Sequence, residues 1–410
     1  MEGHDQFVWD GDDVEEVIEL DDGLEQSEEL TDEMEDLTVD DNEMEKGGGA
    51  AGTDDAVTVF SEHTKSVFSV SLDPVTASVA ASGGEDDRAF VWSIDDGRPL
   101  FEMTGHKDSV TCTTFSHDGK LVATGDMSGV VKVWRLLDGK EVWTFECGDL
   151  EWLCWHFRTH VLFAGTTAGE LWMWKVPDGD CKMFQSYGVA TTCGKILPDG
   201  KQVAAGYADG SVKVWNLKSA AATVHISGRD GHQDGVTCID CSEDGSLLLT
   251  GSSDGLAKLI STSGKVVANF TREASYDPTN DNPDGIASSD KPVSVEAVAF
   301  CHSLRLAAVG YLDGRLTIWD VASQRVRQCC EHKSGIVRLQ WHSLQPLVYA
   351  CSLDGVVCLW DGRTGQLHTQ WRGHSDQVLD MAVSKDGDVV VTGSDDCTAR
   401  VFKHRQSFLD

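Results

Sequence analysis

The stretch CSLDGVVCLWD at positions 351–361 joins an Asp-Gly turn to a short apolar strand that ends in a Trp-Asp pair. Related strings close at eight positions, which are separated by 42, 40, 41, 45, 59, 41 and 42 residues. The closing residues are Trp92, Trp134, Trp174, Trp215, Ile260, Trp319, Trp360 and Phe402. A period of 40–45 residues with strand-like alternation is typical of propeller blades, each built from four strands. The sequence therefore predicts an all-β, eight-bladed propeller, with seven blades as the alternative if one degenerate repeat is misread.

Other features recur in the same register. An Asp lies six residues before the closing position in six repeats, and a Gly-His or Glu-His pair lies 28 or 29 residues before it in five. Asp-Gly favours the tight hairpins that such strands need. Over residues 57–402 these repeats resemble the WD40 family. The resemblance implies a structural hydrogen-bond network of a loop His, a strand Ser or Thr, a turn Asp and a strand Trp. The matching residues are His63, Ser82, Asp86, Trp92, His106, Thr124, Trp134, His232, Asp254, His332, Asp354, His374 and Asp396.

The WD40 resemblance also implies how the ring closes, because each sequence unit begins with the outer strand of the preceding blade. Residues 57–60 are then the outer strand of the blade that ends at Phe402. The 59-residue interval contains an insertion, residues 271–292, which we expect to be either functional or disordered. One aligned inner-strand position is mostly small but holds Arg338 and Asp380 in adjacent blades. We predict that these two side chains form an ion pair.

The charge divides the chain into unequal parts. Residues 1–55 contain 23 Asp or Glu and one Lys, whereas the whole chain of 410 residues has a net charge of −35. Such a segment repels itself and buries little apolar surface, so we expect residues 1–55 to form a disordered acidic tail with a Gly-rich linker. An alternative is that residues 14–20 fold as a short amphipathic turn against a partner. We assign residues 56–405 to the propeller and 406–410 to a C-terminal tail.

Composition also indicates the compartment and the kinds of partner. No secretory signal and no apolar run of about 20 residues are visible, so we expect a cytoplasmic protein without membrane insertion. Its 13 cysteines should then be reduced thiols. The strong acidity disfavours direct binding of nucleic acid and favours proteins with basic surfaces. We expect a monomer.

Catalytic, metal and cofactor motifs are weak in this sequence. Residues 251–255 match the G-x-S-x-G nucleophile pattern, but the same positions recur in other repeats as ordinary turns. The Gly-rich residues 47–52 match a dinucleotide pattern without the strand and helix it requires. We expect no enzyme activity, no cofactor and no metal, since the ring places each repeated His in a different blade.

The remaining candidates are departures from the repeat at turns expected to be exposed. They are Glu85, Asp126, Trp152, Tyr207, Tyr311 and Asp395. Aromatic side chains there would anchor a partner, and the neighbouring acids would favour a basic one. Ordinary turn variation is the alternative interpretation.

A closed propeller without a catalytic set indicates a protein-interaction scaffold. The acidic tail and strings such as Gly-Asp-Leu-Glu-Trp at 148–152 resemble a group of vertebrate WD-repeat proteins over nearly the whole chain. That resemblance implies roles in cell migration and angiogenesis, in the cytoplasm and at the cell periphery, where peripheral membrane association is compatible with the sequence. Fungal relatives look like chaperones of a large-subunit ribosomal protein. Escort of a basic ribosomal protein during ribosome assembly is therefore the alternative function.

Overall fold

The computed structural model describes residues 53–272 and 292–404, which form eight antiparallel sheets of four strands each. Within each blade the strands are given from the inner to the outer one. Blade 1 consists of β2 (Val67–Leu72), β3 (Val79–Gly84), β4 (Ala89–Ser93) and β5 (Pro99–Met103), and blade 2 of β6 (Val110–Phe115), β7 (Leu121–Asp126), β8 (Val130–Arg135) and β9 (Glu141–Glu146). Blade 3 consists of β10 (Leu150–Trp155), β11 (Val161–Thr166), β12 (Leu171–Lys175) and β13 (Cys181–Phe184), and blade 4 of β14 (Thr191–Ile196), β15 (Gln202–Tyr207), β16 (Val212–Asn216) and β17 (Ala222–Ile226).

Blade 5 consists of β18 (Val236–Cys241), β19 (Leu247–Ser252), β20 (Leu256–Ser261) and β21 (Lys265–Thr271). Blade 6 consists of β22 (Val295–Phe300), β23 (Leu306–Tyr311), β24 (Arg315–Asp320) and β25 (Arg325–Glu331), and blade 7 of β26 (Ile336–Trp341), β27 (Leu347–Ser352), β28 (Val357–Asp361) and β29 (Leu367–Trp371). Blade 8 combines β30 (Val378–Val383), β31 (Val389–Ser394) and β32 (Ala399–Lys403) with β1 (Thr58–Phe60).

The ring closes through its two chain ends. Strand β1 pairs antiparallel with β32, with Thr58 opposite Val401 and Phe60 opposite Ala399. The predicted eight blades and the predicted closing strand are both confirmed. The tail and the insertion predicted at 1–55 and 271–292 lie almost wholly outside the described residues.

The core lies between neighbouring blades, where the apolar faces of adjacent sheets meet. At the closing seam the Phe60 ring stacks on Trp92 of blade 1, with centroids 4.9 Å apart and planes 9° apart. The Phe270 ring of blade 5 stacks on Trp319 of blade 6 at 4.2 Å and 9°. An aromatic residue on an outer strand thus covers the closing Trp of the next blade, and such pairs add to the energy of area burial.

The inner strand of every blade carries an irregularity at its second residue, where its register with the second strand shifts. A bulge of this kind leaves one residue unpaired and re-aims its side chain. The eight re-aimed residues are Phe68, Thr111, Glu151, Thr192, Thr237, Glu296, Val337 and Leu379. They form a ring at one mouth of the central channel, because the inner strands surround the axis.

The first described residues are tied to the seam between blades 7 and 8. The N–H of Asp55 donates to the Arg372 carbonyl at 2.8 Å, and the Arg372 N–H donates to the Asp55 carboxylate at 2.8 Å. The Asp54 carboxylate forms an ion pair with Arg400. The acidic N-terminal segment therefore joins the propeller at a fixed place. Among the described residues, no helix has the length and apolar character needed to cross a bilayer.

Candidate protein-binding face

The two ends of the propeller differ in charge. One end of the propeller carries the connections from each outer strand to the next inner strand and from each second strand to its third strand. We call this end the "turn face". The other connections form the "opposite face". Over the described residues, the turn-face connections contain 16 Asp or Glu and seven Lys or Arg, against 12 and nine on the opposite face. The turn face is thus the more acidic end, with net charges of −9 and −3 respectively.

Blade 1 shows how the turn face is built. The imidazole of His63 bonds to Asp86 through Nδ1 at 3.0 Å and to Ser82 through Nε2 at 2.9 Å. The Trp92 indole N–H donates to the same Ser82 hydroxyl at 3.2 Å. The Asp86 carboxylate also accepts the Thr64 N–H at 2.9 Å, so one side chain fixes both loops of the blade.

Blades 5 and 8 keep this arrangement without the Trp. His232 lies 2.9 Å from the Thr250 hydroxyl and 3.1 Å from the Asp254 carboxylate. His374 lies 2.7 Å from Thr392 and 2.9 Å from Asp396. Burial alone would raise the pKa of Asp254, but hydrogen bonds from His232 and a backbone N–H outweigh it and lower the pKa to about 2.

Blade 2 corrects one expectation about binding residues. Asp126 is fully buried, so its assignment as an exposed partner-binding residue is wrong. It takes the place of the missing turn Asp, since its carboxylate bonds to His106 at 3.1 Å and accepts the Lys107 N–H at 2.9 Å. His106 also bonds to Thr124 at 2.8 Å, and the Trp134 indole donates to that hydroxyl at 3.2 Å.

Blade 7 has a different order of bonds. The Trp360 indole N–H donates directly to Nε2 of His332 at 3.0 Å, and Nδ1 of His332 lies 3.3 Å from the Ser352 hydroxyl. The expected pairing of Asp354 with His332 is therefore wrong, because Asp354 accepts from Ser352 at 2.6 Å instead. Burial lowers the pKa of His332 to about 4, which keeps it neutral as an acceptor for Trp360.

The two tyrosines expected at exposed turns are also buried, which overturns their assignment as partner anchors. Tyr207 is 1% exposed and Tyr311 is 0% exposed. Each is the last residue of a second strand and points into its blade. The Tyr207 hydroxyl accepts the Trp215 indole N–H at 3.1 Å, so in blade 4 it takes the role that His and Ser have in blade 1.

Blade 3 depends on packing. Trp152 is buried against Gly165 and Gly194, so the expectation that it is an exposed binding residue is wrong. The rings of Trp172 and Trp174 stack at 5.8 Å, and Phe145 of blade 2 packs on both at 5.3 and 5.1 Å.

Glu85 and Asp395 remain as surface candidates on the neighbouring blades 1 and 8. The Glu85 side chain is 43% exposed, with Lys65 at 3.6 Å, and Asp395 is partly exposed. Burial and the nearby carboxylates of Asp396, Asp86, Asp395 and Glu85 raise the pKa of the Cys397 thiol, which lies between the turns of blades 8 and 1. The structure adds Glu151 and Glu296, which the bulges place at the channel mouth on the same face.

The channel contains two ion pairs that link blades. Arg338 Nε lies 2.9 Å from Asp380 Oδ1, which confirms the predicted pair. The other Asp380 oxygen accepts the Val70 N–H of blade 1 at 2.9 Å. Sequence reasoning missed the second pair, Lys195 with Asp240 at 3.0 Å, which lines a cavity of about 590 Å³.

The nucleophile-like pattern at 251–255 forms a hairpin turn between β19 and β20. The serine at the nucleophile position of this pattern is Ser253, which is partly exposed in the turn and whose N–H donates to the Gly235 carbonyl at 3.1 Å. The preceding Ser252 is buried, and its hydroxyl donates to the Asp234 carbonyl at 2.9 Å, so the pattern forms part of a turn of the repeat. Elsewhere in the described residues, one cluster could hold a metal ion, formed by His117, Asp118 and His160 on the opposite face.

Comparisons with known proteins agree with this architecture. The WD domain, G-beta repeat model matches residues 55–93, 97–135 and 181–216, and a model of the Nucleolar protein 10-like N-terminal domain matches residues 226–402. The Chaetomium thermophilum Sqt1 structure, bound to the N-terminus of the ribosomal protein L10, superposes with a TM-score of 0.75 at 23% identity. The alignment covers 86% of this chain and all of that chain.

Two curated relatives extend the comparison. The Ribosome assembly protein SQT1 of Saccharomyces cerevisiae is 24% identical, over 80% of each chain. The human angio-associated migratory cell protein is 50% identical over 403 residues, which cover 94% of this chain and 92% of the human one. The chain therefore belongs to the WD-repeat family of the angio-associated migratory cell protein.

Proposed function

We propose that this WD-repeat scaffold is a non-catalytic platform whose turn face binds a basic segment of a partner protein. The charge difference between the two faces carries the proposal, because a ligand rich in Lys and Arg gains most from the face with nine excess carboxylates. We assign this activity to the cytoplasm.

The exposed carboxylates on the turn face favour a side-chain ligand of opposite charge. Glu85 and Asp395 lie on adjacent blades and are not committed to the His networks, unlike Asp86 and Asp396 beside them. Glu151 and Glu296 add charge at the channel mouth. A basic segment crossing from the rim of blades 8 and 1 toward the axis would meet carboxylates along its path.

The acidic N-terminal segment supports the same proposal. Its attachment at Asp54 and Asp55 lies beside Arg372 and Arg400, near the loop that carries His374. Asp54 and Asp55 therefore lie at the rim of the turn face, and the sequence before them is strongly acidic. The charge of this segment raises the rate at which a cationic partner reaches the propeller, an effect that salt suppresses.

A ribosomal protein is the partner class that the comparisons favour. The structure of the Chaetomium relative contains the N-terminus of ribosomal protein L10, and the yeast relative is named as a ribosome assembly protein. Proteins that bind ribosomal RNA carry Lys and Arg to neutralise phosphates, and the same side chains are complementary to an acidic face. We propose that this chain escorts such a protein.

A role in cell migration is the second candidate. It is favoured by the 50% identity to the angio-associated migratory cell protein, whose name denotes that process. The same acidic face would then serve a basic partner at the cell periphery, so the two functions share one surface.

The test is capture of an immobilised peptide with the sequence of the L10 N-terminus by the full chain, at low and at high salt. We expect binding at low salt, weaker binding at high salt, and at least tenfold weaker binding for the double variant Glu85→Lys, Asp395→Lys. The matched control is Glu243→Lys, Asp180→Lys, which makes the same charge change at exposed positions of the opposite face.

Equal loss of binding in both double variants would show that net charge, not the turn face, is responsible. Absence of peptide binding at either salt concentration would reject the escort function. The cell-migration function would then remain the one to test.

A further inference from the structure

We propose that His117, Asp118 and His160 form a Zn²⁺ site on the opposite face, at the seam between blades 2 and 3. The connection from β6 to β7 supplies His117 and Asp118, and the connection from β10 to β11 supplies His160. Two imidazoles and a carboxylate form a ligand set that zinc uses where a fourth position stays open to water.

The three side chains already converge. One ligand atom of each lies within 4.8 Å of those of the other two. Nε2 of His160 is 3.1 Å from Oδ1 of Asp118, and the rings of His117 and His160 have centroids 5.4 Å apart. Zinc–ligand bonds of about 2.1 Å would bring ligand atoms to about 3.4 Å from one another. All three side chains are partly exposed in turns, so adjusting the ligand atoms from within 4.8 Å to this spacing needs small side-chain movements.

Neighbouring groups hold the ligands in place. The Ser116 hydroxyl donates to Oδ1 of Asp118 at 2.7 Å, and the Lys120 N–H donates to the same oxygen at 3.2 Å. The His160 ring lies edge-on to Trp155, with centroids 6.2 Å apart. Contacts of this kind orient metal ligands and raise the affinity of a site.

The combination departs from the repeat. A Ser-to-Asp hydrogen bond in this turn recurs at Ser242–Asp244 and Ser384–Asp386, so the carboxylate alone is an ordinary part of the fold. The two imidazoles are what distinguish this seam. At the position of His117, blade 6 has His302, but the next blade has Pro346 where blade 3 has His160.

Zinc bound on the opposite face would join blades 2 and 3. At the turn-face end of this seam, few polar bonds join the two blades. Blade 3 lacks the His network, and the Phe145 ring of blade 2 packs on Trp172 and Trp174 of blade 3. An ion bound at the opposite end of the same seam would stabilise the folded state over the unfolded chain by mass action. The ordinary alternative is a simple His160–Asp118 ion pair without metal.

The test uses the untagged full chain, stripped of metal with a chelator, and titrates it with Zn²⁺ by calorimetry. We expect one saturable site per chain and a higher unfolding temperature with Zn²⁺. His117→Gln and His160→Gln should each weaken binding about tenfold or more. His302→Gln, at the equivalent turn of blade 6, should bind as the unmodified chain does.

Two further measurements remove ambiguity. Circular dichroism without metal must show that each variant is folded, and His117→Gln decides the outcome if His160→Gln fails this check. Co²⁺ replaces Zn²⁺ to identify the ligands, because thiolates such as exposed Cys329 would give a sulfur charge-transfer band. A thiolate spectrum, no saturable binding, or equal binding by all three variants would overturn the proposal.

Discussion

Replacement of Asp254 by Asn should lower the free energy of unfolding by about 2.5 kcal/mol at pH 7. The carboxylate accepts hydrogen bonds from His232 at 3.1 Å and from the Gln233 and Leu256 N–H groups at 2.9 Å each. These bonds lower its pKa from 3.8 to about 2. Each pKa unit corresponds to 1.36 kcal/mol, and the side chain is 8% exposed, so solvent weakens the effect little.

The sign of the pH dependence follows from this depressed pKa. The unfolded chain binds the proton near pH 3.8 and the folded chain only near pH 2, so the stabilisation is complete above about pH 5. It is lost as pH falls through 2, and at pH 3 about half remains. Urea unfolding of both proteins, followed by Trp fluorescence at pH 7 and pH 3, measures the difference.

Asp209→Asn is the matched control, because Asp209 has the same turn position in blade 4 but is exposed and bonds only to Ser211. We expect it to cost less than about 1 kcal/mol. An Asp254→Asn variant no less stable than Asp209→Asn, or a difference that does not change between pH 7 and pH 3, would refute the reasoning.

Three other substitutions test separate features. Tyr207→Phe removes the acceptor of the buried Trp215 indole and should cost about 1–3 kcal/mol in urea unfolding. His332→Gln should lower the free energy of unfolding more at pH 7.5 than at pH 5. Burial lowers the pKa of His332 to about 4 in the folded chain, whereas the unfolded chain binds this proton near pH 6.5, so the histidine stabilises the fold less as pH falls below 6.5. Gly165→Ala would drive a methyl group into Trp152 and should lower the unfolding temperature measured by calorimetry, at a cost of about 1–3 kcal/mol.

The repeat made the fold predictable because each blade contributes several registered positions. Ile260 and Phe402 replace the closing Trp, yet the His and Asp of their repeats keep the spacing. The alignment also placed Arg338 beside Asp380, and the structure joins them at 2.9 Å. Side chains at one repeat position face the channel at one height, so an alignment of repeats predicts contacts between blades.

Burial at the turns was harder to predict. Tyr207, Tyr311 and Asp126 lie two residues before the turn Asp position, and we expected them to be exposed for that reason. Each ends a second strand, where the alternation of the sheet still directs the side chain into the blade. The sequence did contain a sign of this burial. The other repeats hold small or hydroxyl residues such as Thr166 and Ser252 at this position, which is typical of a site with little room for a side chain.

Contacts that depend on how neighbouring blades pack could not be predicted from the sequence. The bulges that re-aim Glu151 and Glu296 leave no pattern in residue type. The approach of His160 to Asp118 joins two turns that are 42 positions apart and belong to different blades. We expected no metal because the repeated histidines are separated by the ring, but that reasoning does not cover turns of adjacent blades, which touch.

Adjacent carboxylates on the turn face serve different purposes. Asp86 and Asp396 hold His63 and His374, and their charge is balanced by hydrogen bonds inside the blade. Glu85 and Asp395, one residue earlier in the same turns, lie outside these His networks, and Glu85 has the exposed Lys65 at 3.6 Å. A surface pair of this kind contributes little, so both charges are available to a ligand. Charge reversal at Glu85 and Asp395 should therefore weaken binding while the unfolding midpoint stays unchanged. Asp396→Asn should lower the midpoint, because it removes the partner of His374. If both kinds of variant changed the midpoint equally, the division between structural and ligand-binding carboxylates would be wrong.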